Sequence, residues 1–157
     1  MLAHRWTARS DPHGPFGLLK WRAIRVHDVS EERSATLRLE LEPEPSTPRA
    51  VRREFTRRFE DHPCLEVLLL CLSEVVTNAV LHARTPLSVT VSVSDDGGTV
   101  RVEVADRSRM QPVRRRFAEV SPTGRGLHLL DRLTTNWGIE PSASGKTVWF
   151  EVAGIAP

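Results

Sequence analysis

Four groups of residues in this chain have types and spacing that could do chemistry. The first is Glu74, Asn78 and His82, each four positions beyond the last. On a helix that advances about 100° per residue, they step round by only about 40° each time and form one row. A carboxylate, an amide and an imidazole in a row suit the wall of a binding site. The bland alternative is a solvated polar face. Two features weigh against it: the same side carries Leu70, Cys71 and Leu81, and no Lys or Arg occurs from Leu65 to Ala83. The second group ends in Asp106, where the alternating run Val100, Val102, Val104 stops; such an aspartate is usually a turn-former or a cap. The third is Gly124-Arg125-Gly126 ahead of an apolar run. Glycines admit an anion close to the backbone, and a helix N-terminus offers it unpaired N–H groups. The fourth, Gly145-Lys146-Thr147, reads by itself as a turn.

These groups need elements to hold them. Thr36 to Leu41 alternates with period two and predicts a strand with one buried face. After Pro43 and Pro45, Ser46 or Thr47 can cap a helix that tolerates Pro48 in its first turn and runs to about Phe59. Val51, Phe55 and Phe59 mark its apolar face. Asp61-His62-Pro63 is a turn before the main helix, Leu65 to Ala83, whose stripe of Leu65, Leu68, Leu69, Leu72, Val76, Ala79 and Val80 should face a sheet. Leu87–Val93 and Thr99–Ala105 form strands joined through Asp95-Asp96-Gly97-Gly98, a hairpin signal. Residues 110–123 are polar and Arg-rich and predict a mobile loop. A helix over about Leu127–Leu133 and a closing pair of strands, Thr135–Ile139 and Thr147–Val152 around PSASG, complete the chain. Strands that arrive in pairs do not suit a doubly wound parallel sheet. They predict an α+β, two-layer sandwich with helices on one face of a mixed, mainly antiparallel sheet. Residues 1–33 read as an N-terminal extension, with a short strand near Leu18–Val26, and 34–153 as one domain.

Composition narrows the function classes. At 157 residues, 39% hydrophobic and 27% charged, the chain has room for one sizeable core. The net charge of +2 gives no bias toward nucleic acid. Arg52-Arg53, Arg57-Arg58 and Arg114-Arg115-Arg116 read as solvated faces. Of 22 basic residues only Lys20 and Lys146 are lysines. Cys64 and Cys71, seven apart, lack zinc-ligand spacing and read as buried thiols, in keeping with a reducing compartment. Polar residues interrupt the longest apolar segment, and MLAHRWTARSDPHG has no apolar signal core. A cytoplasmic location and no membrane contact are the default expectations.

In combination and order, the four groups resemble the GHKL ATPase superfamily, shared by DNA gyrase and histidine kinases. LSEVVTNAVLHA (72–83) looks like its first box, VEVADRS (102–108) its second, GRGLHLLDRL (124–133) its third and GKTVWFEV (145–152) its last. The resemblance covers about residues 34–153 and is nearest to stand-alone anti-sigma-factor serine/threonine kinases and their actinobacterial relatives. It implies a Bergerat-type ATP-binding fold with ATP and Mg²⁺ as cofactors. Asn78 would hold Mg²⁺, Glu74 would be the general base, and His82 would line the site near the ribose or phosphates. Asp106 would accept a hydrogen bond from the adenine amine, assisted by Thr147. Gly124, Arg125 and Gly126 would hold the phosphates, with Ser108 and Leu127 also at the nucleotide and 110–123 as a lid.

The family's second box usually reads Asp-x-Gly-x-Gly, whereas here Ser108 and Met110 replace both glycines. That departure bears more on turnover than on binding. The resemblance therefore implies either a kinase acting on an anti-sigma-factor-antagonist-like protein or a weakly catalytic, nucleotide-responsive module that sequesters a sigma factor or other regulator. A homodimer stays open, and nucleic-acid contact is not expected.

Overall fold

A computed structural model describes residues 35–94, 98–108 and 126–153. The expected strand at 18–26, the loop at 110–123, Gly124 and Arg125 lie outside them. The elements run β1 Ala35–Leu41, α1 Thr47–Arg58, α2 Leu65–Asn78, a π turn Ala79–Ala83, β2 Leu87–Val93, β3 Thr99–Asp106, α3 Gly126–Leu133, β4 Asn136–Ser142 and β5 Gly145–Ala153. The strands form one sheet in the order β1-β2-β3-β5-β4. All four pairings among the described strands are antiparallel, so the "mixed" part of the expected sheet is not seen there.

Period-two alternation sets the sheet's two faces. Val100, Val102 and Val104 of β3 are buried beside Val152, Phe150 and Val148 of β5, which are their register partners. Helices α1 and α2 pack together over this apolar face, with Val51, Phe55 and Phe59 wholly buried as their spacing required. Phe55 and Phe59 lie 5.3 Å apart, centroid to centroid. The opposite face is polar: Arg101 pairs with Glu103 and Glu151 and lies 4.0 Å over the Trp149 ring.

Leu65–Ala83 is by length and composition long and apolar enough to cross a membrane, and half of its apolar window is buried inside the fold. Its role here is that of a core helix: Leu68, Leu69, Leu72, Val76, Ala79 and Val80 are buried. Cys71 and Val75 are buried too, so the covered arc is wider than a sheet-facing stripe, because α1 and α3 flank α2.

One cap bond and two boundaries differ from the sequence reading for physical reasons. Ser46 takes the N-cap position of α1 without a side-chain cap bond, while the Thr47 hydroxyl donates to the Glu42 carbonyl at 2.7 Å. Pro141 lies inside β4 and not in a turn, because β4 is an edge strand where a missing N–H is tolerated. And the main helix does not stay α-helical to its end.

Candidate functional site

Helix α2 gives way at Asn78 to a π turn, Ala79–Ala83, closed by Arg84 in the left-handed conformation at φ 52°. The Arg84 N–H reaches back to the Ala79 carbonyl at 3.3 Å. Such widened turns inside helices are frequent at functional sites. Glu74 and Asn78 keep their α-helical spacing and are both half-buried. His82 lies in the wider turn, so it departs from the even helical step assumed for the row. Its Nε2 is buried and has no hydrogen-bond partner among the described residues. Buried polar atoms without a partner are costly. Beside the row, burial and the Glu74 charge push the Cys71 thiol up to about 11. That thiol is inert at neutral pH.

The connection from this turn leads directly to β2, whose Leu87 is the register partner of Asp106. Thr85 ties the two together by accepting the Arg107 N–H at 2.9 Å. The end of β3 and the end of the main helix are thus held at one end of the sandwich, and the π turn contacts β3. Helix α3 packs beside α2 and buries Leu130 between the layers. Gly126 and Leu127 open α3 as the sequence predicts.

The Asp106 carboxylate already has partners within the chain. Lys146 Nζ lies 3.0 Å from its Oδ1 and 2.9 Å from its Oδ2, and Oδ1 also accepts the Ser108 N–H at 2.9 Å. The two side chains are only 2% and 8% exposed, Asp106 and Lys146 respectively. They close the apolar row of β3 and β5, as the cross-strand pair after Val104 and Val148.

Thr147 is not the neighbour of the Asp106 side chain. It pairs in register with Ala105, and alternation places it on the same side as Trp149 and Glu151, away from the helices. Lys146 holds the place beside Asp106 that was expected for Thr147. The sequence carried one hint of this: Lys146 is one of two lysines in a chain that otherwise uses arginine.

Gly145 lets this arrangement close. A Cβ built there would collide with the Asp106 carbonyl oxygen and crowd the Arg107 Cα, both backbone atoms. Gly145→Ala is expected to lower stability by about 1–3 kcal/mol, the usual cost of overpacking, in urea unfolding. An unchanged midpoint would show that the strand ends part without strain.

Comparison with known proteins bears on the family and the fold. A family model described as the histidine kinase-like ATPase domain matches residues 37–152. The chain belongs to this family. Among solved structures, the RsbU and RsbW domains of Rv1364c from Mycobacterium tuberculosis align with a TM-score of 0.58 at 22% identity. The match covers 78% of this chain and 34% of that one, so this ATPase-family chain spans about a third of the protein it resembles. At that identity the likeness speaks to the fold. A search of curated proteins gave no match. The first expectation, an α+β domain of the histidine kinase-like ATPase type, therefore holds.

Proposed function

We propose that this ATPase-family domain binds ATP with Mg²⁺ and acts as an anti-sigma-factor-type serine/threonine kinase. The observation that carries the reading is one helix side holding Glu74 and Asn78, half-buried, next to His82, whose buried Nε2 has no partner among the described residues.

The donor set fits the implied ion. The Asn78 amide oxygen is a hard oxygen donor, which Mg²⁺ prefers. When bound, Mg²⁺ would neutralise charge on the phosphate oxygens. Asn78 would be its protein ligand. Glu74, four residues earlier, would take the proton from a serine hydroxyl of the partner. His82 would donate or accept at the ribose or phosphates. Gly124, Arg125, Gly126 and Leu127 would offer backbone N–H groups at the start of α3, where anions are favoured. Ser108 would lie at the nucleotide beyond Asp106. The partner would be a small anti-sigma-factor-antagonist-like protein.

Calorimetric titration of the full chain with Mg·ATP, followed by transfer of radiolabelled γ-phosphate to antagonist-type proteins, tests this. No heat of binding at millimolar Mg·ATP sinks it. Asn78→Ala is expected to weaken Mg·ATP binding by at least about tenfold while leaving binding in excess EDTA unchanged, because only the ion's ligand is lost. An equal loss in both conditions would mean that Asn78 acts otherwise.

One observation favours a second reading. Asp106 is already held by Lys146 and Ser108, which suits a binding module with little turnover. In that case the chain would sequester a sigma factor or other regulator, and its partner affinity would change with Mg·ATP in the absence of phosphoryl transfer.

A further inference from the structure

Helix α3 is fastened to the fold at its C-terminal end. Leu130 is buried between the layers and Leu133 packs against the same core. The Thr134 N–H and hydroxyl both donate to the Leu130 carbonyl, at 3.0 and 2.6 Å, and close the last turn. Thr135 then crosses to β5: its N–H donates to the Glu151 carbonyl at 2.8 Å, and its hydroxyl accepts the Ala153 N–H at 3.1 Å. These contacts fix where α3 ends. A helix held at one end can still tilt about it.

One further bond reaches the flank of the helix. Trp137 Nε1 donates to Asp131 Oδ1 at 2.8 Å. Trp137 is the register partner of Phe150, on the helix-covered face of β4, and its ring packs against the core. The indole N–H is therefore a peg on a rigid mount. Asp131 is a poor choice for its place by local rules. It is exposed in the last turn of α3, where a carboxylate meets the negative end of the helix dipole, and aspartate is a weak helix former. A residue that local stability disfavours is expected where position matters more.

We propose that Asp131, held by Trp137, is a positioning residue that aims the start of α3 at the phosphates of the nucleotide. This rests on the reading above, in which N–H groups at the start of α3 hold the phosphates. Gly126 lies five residues before Asp131, about 7.5 Å along the helix. A tilt of about 10° at Asp131 moves those N–H groups by about 1.3 Å. Displacements of about 1 Å are large for a binding constellation.

The alternative is that the bond only stabilises the end of α3. Calorimetric titration of the full chain with Mg·ATP, with urea unfolding of the same samples, separates the two. Asp131→Ala removes the acceptor, Asp131→Asn keeps an oxygen in its place, and Trp137→Phe keeps a ring without the N–H. D131A is expected to weaken Mg·ATP binding by about tenfold. Its urea midpoint should hardly move, because alanine is the better helix former and takes the charge away from the dipole's negative end. D131N is expected to bind within about threefold of wild type. W137F should repeat the loss, and D131A with W137F should be no weaker than either alone, as for the two ends of one bond. Affinity of D131A within about twofold of wild type overturns the inference. So does D131N as weak as D131A, a loss of affinity that tracks a loss of stability, or losses that add in the double variant. The two Asp131 variants decide alone if W137F does not fold. All these outcomes leave the nucleotide reading standing. No binding of Mg·ATP by wild type overturns that reading and this inference with it.

Discussion

Asp106→Ala is expected to cost about 3–5 kcal/mol of folding stability, a large share of what a domain of this size has. The substitution leaves the Lys146 ammonium buried without its carboxylate, and the side chain is only 8% exposed. It also removes the acceptor of the Ser108 N–H. Lys146→Met should cost less than Asp106→Ala, because the remaining carboxylate keeps the Ser108 bond. Replacing both, Asp106→Leu with Lys146→Met, should be neutral or stabilising by about 1–4 kcal/mol. The double variant simply prolongs the apolar row of Val104 and Val148 by one more pair. Urea unfolding of the three variants and of Asp106→Leu alone closes the cycle. A loss below about 1 kcal/mol for Asp106→Ala would mean that water reaches the pair and that it behaves as a surface ion pair.

If the cycle comes out this way, stability does not account for the pair. Two apolar residues would serve the core as well or better. A charged pair at the end of an otherwise apolar row, at the same end as the π turn, then points to a ligand as its reason.

The layout was legible because local rules and tertiary packing agree for most of the chain. Val51, Phe55 and Phe59 repeat at helical spacing and are fully buried. Val100, Val102 and Val104 alternate and face Phe150 and its neighbours. The sequence was less informative where one residue decides a face or a turn. Periodicity cannot announce a π turn, since Ala79–Ala83 has the same apolar composition as the α-helix before it. The start of β5 could not be fixed either, because Gly145 looks like a turn residue. It enters the strand because its missing Cβ admits the Asp106 backbone. A shift of strand start does not change alternation, but it does change which of two neighbours is asked to meet Asp106. The resemblance names Thr147, and nothing in the local pattern points to Lys146 as the residue that meets Asp106. The contact between Lys146 and Asp106 is seen only in the hydrogen bonds.

Glu74→Gln is expected to lower γ-phosphate transfer by about 100- to 10,000-fold, the range for losing a positioned general base. The change is isosteric and keeps an oxygen at the same place on α2. It removes the group able to take the proton. Glu74 is half-buried and does not support the core: the helix's buried residues are Leu68, Leu69, Cys71, Leu72, Val75 and Val76. Stability should therefore move little, and Mg·ATP affinity should stay within a few-fold, because Asn78 and His82 are untouched. Single-turnover transfer from radiolabelled ATP to the partner serine, with calorimetry on the same samples, separates these quantities. A fall in transfer with affinity intact assigns Glu74 to the chemical step. A parallel fall in both would make Glu74 a binding residue. Equal transfer by wild type and variant would remove Glu74 from the chemistry, leaving the helix row as a nucleotide-binding face and the domain as a nucleotide-responsive binding module.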